Sequence, residues 1–376
     1  MRILLTGGGT GGHLFPLLAV TRAIQKETKE SVELVYIGPC NKLSEETLAK
    51  QGIKTKHVLT GKWRRYFSLL NIWDAIKLPI GIIQALFKVL FFMPDVVFSK
   101  GGYGSVPAVL ASRLYWIPIV VHESDAVPGR ANRFMEHLAD VIAVSYEMTA
   151  NFTNPTKTVF TGNLVREDLL GGDTVKARVA LGIKSSKPLL LILGGSQGAQ
   201  KINEVIVKIL PRLISTYEVI HQCGEKNYDE TRDLVGKAGI KPGRDGYQLY
   251  PFLEDTKQQM KNALSAADLI LSRAGATAIS EIAAYGKPSI LVPLKGSAND
   301  HQLHNAFEVA KTGGAMALKE ENLTPELLLG KIDILMNDGP LRKTMGEKAR
   351  RFYNPDSAQK VAQIILKLGN KEKLRD

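Results

Sequence analysis

Cysteine is scarce in this chain: Cys40 and Cys223 are the only two, and they lie far apart. That excludes a disulfide framework and a cysteine-based metal site, and makes both thiols apolar fillers suited to a reducing compartment. No Asp-x-Asp pair is present to chelate a divalent cation, and there is no Walker loop for a triphosphate. No apolar run reaches the roughly 20 residues of a membrane span. The longest candidate, 78–93, is interrupted by Gln84 and Lys88. Low-complexity tracts are missing too. The first strand-like run enters a glycine turn by residue 7, so no signal peptide is expected and the chain reads as cytoplasmic. Acid is in deficit, with 37 Asp and Glu against 49 Lys and Arg, a net charge of +12 and a pI near 9.5. Phosphorylated substrates, an anionic membrane or nucleic acid all fit that balance, as does a merely soluble basic surface.

What is present is said twice. Arg2-Ile3-Leu4-Leu5-Thr6 runs into Gly7-Gly8-Gly9-Thr10-Gly11-Gly12-His13, and Leu189-Leu190-Leu191-Ile192-Leu193 runs into Gly194-Gly195-Ser196-Gln197-Gly198, half of the 376 residues further on. A strand, a glycine turn and a helix start together make an anion site: bare N–H groups point outward and the helix dipole adds positive potential. Further strand-like runs fall at 32–37, 95–99, 117–121, 140–144, 217–222, 268–271 and 289–293, separated by amphipathic segments. Continuous apolar runs of this kind are expected of parallel strands buried on both faces. Two doubly wound α/β domains follow, each Rossmann-like, facing across a cleft, with a hinge around 161–166. At the far end Asn354-Pro355 offers an N-cap, and Ala358, Val361, Ala362, Ile365 and Leu368 share one face. That helix is expected to pack back on the first domain.

Several side chains invite a chemical reading. Gly7-x-Gly9-x-x-Gly12 matches the dinucleotide fingerprint in form. The second strand, however, ends in Gly38-Pro39-Cys40-Asn41 without the acid that a nicotinamide cofactor's ribose requires. No cofactor and no metal are expected. His13 stands at a helix start, either as a general base or as a structural residue. Glu281 falls about two turns into the helix opened by Arg273-Ala274-Gly275-Ala276-Thr277-Ala278, where a carboxylate can hold vicinal hydroxyls such as those of a ribose. Lys54, Lys56, His57, Lys62, Arg64 and Arg65 surround Trp63, Tyr66 and Phe67 just before the 78–93 stretch. That stretch is either a buried helix or one lying on a bilayer.

Gly8-Gly9-Thr10-Gly11-Gly12-His13, Lys100-Gly101-Gly102-Tyr103, His122-Glu123, Gly162-Asn163 with Arg166, Gly194 to Gly198 and Arg273 to Glu281 appear in order along the chain. Together they resemble the MurG family, membrane-associated N-acetylglucosaminyltransferases of peptidoglycan synthesis, with roles in cell-wall biogenesis, cell shape and cell division. The resemblance implies a GT-B fold with an acceptor- and membrane-binding domain at 1–162, joined by the C-terminal helix at 355–369, and a UDP-sugar domain at 163–353. It implies inverting, metal-independent transfer of N-acetylglucosamine from UDP-GlcNAc to undecaprenyl-linked lipid I, at the cytoplasmic face of the cell membrane. His13 is the first candidate base and Glu123 the second. Donor contacts fall to Arg166, Ser196, Phe252, Leu253, Ala276, Thr277, Glu281 and Gln302. Contacts with the acceptor and its diphosphate fall to Thr10, Gly11, Gly12, Lys100, Gly101, Gly102, Tyr103 and Asp125. An anionic membrane surface and other cell-wall synthesis proteins are the implied partners, and nucleic acid is not one. Ser124-Asp125 stands where the family often has glutamine-asparagine. A UDP-sugar 2-epimerase on the same fold, or a basic nucleic-acid-binding protein, are the alternatives.

Overall fold

A computed structural model describes the chain except residues 9–10, 29–30, 62–68, 196–197, 255–257 and 373–376, and gives backbone alone at 11, 42–43 and 69–76. It divides into two compact units, Met1–Arg166 with Asn354–Asp376, and Glu167–Tyr353. The first unit thus runs to Arg166, beyond the expected break at 162. Leu164 is part of its core, and Arg166 lies on the ring of Phe15.

In the first unit the strands are β1 (Arg2–Thr6), β2 (Glu33–Gly38), β3 (Lys54–His57), β4 (Val96–Ser99), β5 (Ile119–Glu123), β6 (Val141–Val144) and β7 (Thr158–Phe160). They form one parallel sheet in the order β3-β2-β1-β4-β5-β6-β7. Its helices are α1 (Gly11–Glu27), α2 (Lys42–Ala49), α3 (Leu69–Phe92), α4 (Val106–Leu114) and α5 (Arg130–Glu136). The period of two in β1 assigns the faces. Ile3 and Leu5 join Leu17, Leu48 and Val361 in one core, whereas Leu4 joins Val89, Val109 and Met135 in the other.

The second unit repeats the plan. It contains α6 (Thr174–Ala180), β8 (Leu189–Leu193), α7 (Gln200–Thr216), β9 (Glu218–Gln222), α8 (Tyr228–Lys237), β10 (Tyr247–Tyr250), α9 (Gln259–Ala266), β11 (Leu269–Ser272) and α10 (Ala276–Ala284). It continues with β12 (Ser289–Leu291), α11 (His301–Lys311), β13 (Met316–Ala317), α12 (Pro325–Asn337) and α13 (Gly339–Ala349). The strand order is β10-β9-β8-β11-β12-β13. Leu190 and Ile192 face the core beneath α7, and Leu189 and Leu191 the one beneath α9 and α10.

The closing helix α14 (Ser357–Gly369) returns to the first unit, where Val361, Ala362 and Ile365 pack with Leu17 and Val20 of α1. Asn354 is not its N-cap. Asp356 occupies that position, and the Asn354 Nδ2 instead donates to Thr161 O at 2.8 Å. The expected strand at 117–121 begins two residues later. Trp116 takes a left-handed turn (φ 59°) and Pro118 follows it, so His122 and Glu123 become the last residues of β5.

The 78–93 stretch belongs to α3 and has two faces. Ala85, Val89 and Phe92 are buried, while Ile80, Ile83, Phe87, Leu90 and Phe91 are exposed, Phe91 to 81%. The polar interruptions turn inward: Gln84 Oε1 accepts from Leu59 N at 2.9 Å, and Lys88 Nζ donates to His57 O. No helix among the described residues is long and apolar enough to cross a membrane.

Candidate functional site

Each sheet reverses its strand order once, between β1 and β4 in the first unit and between β8 and β11 in the second. Flanking crossovers leave on opposite faces there, which opens a crevice at the strands' carboxyl ends. Both glycine turns stand at these two positions.

In the first unit the turn after β1 meets the turn after β4. Tyr36 OH lies 2.9 Å from Gly7 O and 3.2 Å from Pro39 O, fixing the exit of β1 to that of β2. His13, in the first turn of α1, is half-buried with its imidazole between two glycines. A methyl group at Gly8 would come within 2.8 Å of His13 Nδ1, and one at Gly102 within 2.9 Å of its Nε2. Gly101 and Gly102 both have left-handed φ (89° and 82°), and a methyl at Gly101 would strike Asn132 at 2.3 Å. The glycines are therefore required by close approach as well as by backbone.

Behind this turn lies a buried polar cluster. Lys100 is 2% exposed, and its Nζ donates to Ser124 Oγ. Glu123 accepts from Asp125 N at 2.9 Å, Gly129 N at 3.2 Å and Asn132 Nδ2 at 2.7 Å, so it gathers the loop after β5 around itself. His122 Nε2 donates to Gly162 O at 3.2 Å, and its Nδ1 is buried with no partner among the described residues. Burial, then the Lys100 ammonium, holds His13 down at about 4, with Asp125 pulling the other way. Burial lowers Lys100 to about 8, opposed by Glu123 and Asp125. Burial and Asp125 push Glu123 upward, against its N–H donors. Near neutral pH the cluster thus holds a neutral imidazole beside a cation that is close to giving up its proton.

In the second unit Gly194 N donates to Gln222 O at 2.9 Å, and Gly195 and Gly198 take left-handed φ (76° and 82°). Among the described residues helices α7 and α10 begin without a side-chain cap, which leaves first-turn N–H groups for a ligand, whereas at the start of α11 Gln302 N donates to Ser297 Oγ at 3.4 Å. Ala276 and Thr277 are the first residues of α10, and Glu281 is half-buried in its second turn. Leu253 is fully buried and its N–H donates to Gln222 Oε1 at 3.1 Å, with Phe252 half-buried beside it. Gln302 Oε1 accepts from Leu294 N at 3.0 Å, tying α11 to the loop after β12. Arg273 pairs with Glu320, whose other oxygen accepts from Lys295 N at 3.1 Å.

The structure thus brings His13, Lys100, Gly101, Gly102, Glu123 and Asp125 together, with Gly12 exposed at the start of α1 and the Tyr103 ring partly exposed beyond the second turn. Arg166 lies with the first unit, its guanidinium carbon 4.1 Å from the Phe15 ring centre. Thr10, Ser196, Trp63, Arg64 and Arg65 lie outside the described residues, and of Gly11 the backbone alone is described. Sequence reasoning missed Asn132, Gln222 and Glu320, and noted Ser124 without giving it a role. The Pro128-Gly129 pair before α5 was the one local signal for Asn132, as a helix start facing the glycine turn. Among the described residues no three His, Cys, Asp or Glu side chains gather as a metal site would require.

Residues 3–144 match the glycosyltransferase family 28 N-terminal domain and residues 189–363 the family 28 C-terminal domain. A UDP-N-acetylglucosamine–N-acetylmuramyl-(pentapeptide) pyrophosphoryl-undecaprenol N-acetylglucosamine transferase of Bacillus cytotoxicus is 35% identical over 372 residues, covering 99% of this chain and 100% of that protein. The crystal structure of Acinetobacter baumannii MurG superposes with a TM-score of 0.73 at 28% identity, over 97% of this chain and 99% of that one. A UDP-GlcNAc 2-epimerase from Neisseria meningitidis superposes at 0.66 with 16% identity, over 98% of this chain and 100% of that one, a likeness of fold alone.

Proposed function

Because the chain belongs to glycosyltransferase family 28, among its undecaprenol N-acetylglucosamine transferases, we propose that it moves N-acetylglucosamine from UDP-GlcNAc to the 4-hydroxyl of undecaprenyl-diphosphate-linked N-acetylmuramoyl-pentapeptide. The acceptor hydroxyl attacks the anomeric carbon, UDP leaves from the opposite face, and the new linkage has inverted configuration. The second unit holds the donor. Glu281 takes the ribose hydroxyls, Phe252 and Leu253 frame the uracil, and Ala276, Thr277, Gln302 and Ser196 meet the phosphates and sugar. Negative charge grows on the departing UDP, and the uncapped starts of α7 and α10 supply fixed positive potential for it. The family resemblance assigns Arg166 to the same diphosphate; it lies with the first unit, on the ring of Phe15.

The first unit holds the acceptor at Thr10 to Gly12, Lys100 to Tyr103 and Asp125. His13 is neutral throughout the working range and takes the proton of the attacking hydroxyl. Glu123, already the acceptor of three N–H bonds, supports the loop rather than serving as base. One observation favours a lipid-linked acceptor over the epimerase alternative. Over its second half helix α3 turns Gln84 and Lys88 toward the protein and leaves Ile80, Ile83, Phe87, Leu90 and Phe91 outside. Such a face suits peripheral docking at the cytoplasmic leaflet, with basic residues meeting anionic head groups. The test is UDP release. It is expected only when a lipid-linked acceptor accompanies UDP-GlcNAc, and to persist in EDTA. Release or epimerisation without acceptor would contradict the transfer, and loss restored by Mg²⁺ would contradict the dipole account.

A further inference from the structure

Two recognition elements of the second unit hang from neighbouring strands. β11 leads through Arg273 to α10, with Ala276, Thr277 and Glu281, and β12 leads through the loop 293–300 to Gln302 on α11. That loop has little of its own to hold it. Leu294, Lys295 and Gly296 are exposed, and Gly296, Asn299 and Asp300 all have left-handed φ (73°, 52° and 50°). Left-handed backbone at a residue other than glycine persists only where the surroundings over-determine it. Glu320, just past β13, supplies such a hold. One of its oxygens accepts from the Arg273 guanidinium and the other from Lys295 N at 3.1 Å. Arg273 also donates to Val292 O at 3.3 Å, so the exits of β11 and β12 and the loop meet at this one carboxylate. The Arg273 and Glu320 side chains are 12% and 16% exposed, against 72% and 51% for the neighbouring Lys295–Glu321 pair. An enclosed pair keeps its geometry, whereas an exposed one contributes little. Next to Lys295, Leu294 N donates to Gln302 Oε1 at 3.0 Å. That bond sets the amide: Oε1 accepts from the loop, and Nε2 is the end that can donate to a ligand.

We propose that Glu320 is a positioning residue for the donor, which fixes the loop 293–300 against the ends of β11 and β12 and thereby aims the Gln302 amide at the sugar diphosphate. This rests on the assignment of UDP-GlcNAc to the second unit. Glu320 itself touches no substrate; it acts through Lys295 N and Leu294 N on Gln302.

The test compares Glu320→Ala, Glu320→Asp, Gln302→Ala and the Glu320→Ala/Gln302→Ala double variant. Each is assayed with UDP-GlcNAc and a short-chain prenyl-diphosphate-linked muramoyl-pentapeptide, with thermal unfolding alongside. Glu320→Ala is expected to raise donor KM about tenfold while acceptor KM stays unchanged. Its Tm should fall, because Arg273 loses its countercharge in an enclosed place. Glu320→Asp keeps that charge, and with it the fold, but is too short to reach Arg273 and Lys295 N together. Its donor KM should rise severalfold at nearly the parent's Tm. In the double variant donor KM should match that of Gln302→Ala within about twofold, while Tm falls as in Glu320→Ala. Stability losses that persist beside donor losses that do not multiply are the mark of an effect passed through Gln302. The parent's donor KM in Glu320→Asp, or donor losses that multiply in the double variant, would overturn the positioning role and leave the donor assignment standing. Gln302→Ala with the parent's donor KM would instead contradict the assignment of the donor to this loop, and the proposal with it.

Discussion

Asn132 joins Glu123 to the second glycine turn of the first unit. Its Nδ2 donates to Glu123 Oε2 at 2.7 Å, and its Oδ1 accepts from Gly102 N at 3.1 Å. One side chain thereby couples the end of β5 to the turn after β4 and to the glycine that borders His13.

Asn132→Ala removes a donor from a buried carboxylate and an acceptor from Gly102 N. A loss of about 1–3 kcal/mol in stability is expected, with lower acceptor kcat/KM. Asn132→Asp keeps the shape without the donor and should be no better. Denaturant unfolding and acceptor kinetics check both, and native values for either variant would contradict the coupling.

Glu281→Ala should weaken the donor far more than the acceptor. Removing a charge-assisted hydrogen bond from the ribose is expected to raise the UDP-GlcNAc KM about ten- to a hundredfold. A folded variant with the parent's donor KM would show that Glu281 does not touch the nucleotide.

The outward face of α3 predicts a membrane defect separable from chemistry. Ile83→Asp/Phe87→Asp replaces two exposed apolar side chains, each worth up to about 1.5–3 kcal/mol of burial. Sedimentation with anionic vesicles should fall, while activity on a water-soluble short-chain acceptor stays near the parent's. Equal vesicle binding at low salt would remove this face from the docking surface.

His221 predicts acid sensitivity of the second unit. Asn203 Nδ2 donates to Cys223 O, so Asn203 Oδ1 accepts from His221 Nε2 at 3.0 Å and His221 Nδ1 accepts from Tyr247 OH at 2.9 Å. Both ring nitrogens are satisfied in the neutral form, and burial holds the imidazole down at about 3. A folded value below the unfolded 6.5 means that this contribution is complete above pH 6.5 and is lost as pH falls from there toward 3. The slope approaches about 1.4 kcal/mol per pH unit. Thermal unfolding at pH 7 and pH 5 should show a steeper acid loss in the parent than in His221→Gln, and parallel curves would exclude this network as the cause.

The strands legible in the sequence and those missed differ by position. β3, β7, β10 and β13 had no counterpart among the expected runs, and all four are sheet edges. Lys54-Thr55-Lys56-His57 and Tyr247-Gln248-Leu249-Tyr250 carry polar side chains because one flank needs no burial. The continuous apolar run that marks a central parallel strand therefore never appears in them. The candidate site divides the same way. The glycine turns and His13 were visible because they are contiguous, whereas Ser124 and Asn132 matter only through partners far along the chain.

By itself the sequence determined two parallel α/β units and the glycine turn after the first strand of each, since apolar period and glycine act within a few residues. The tertiary structure decided what surrounds those turns. It put the Lys100 ammonium against Ser124, set His13 between Gly8 and Gly102, and turned Gln84 inward and Phe91 outward on one helix. These outcomes depend on burial and on distances between segments that are remote in sequence. Desolvation and charge proximity, which set the behaviour of His13, Lys100 and Glu123, come into being only when the chain has folded.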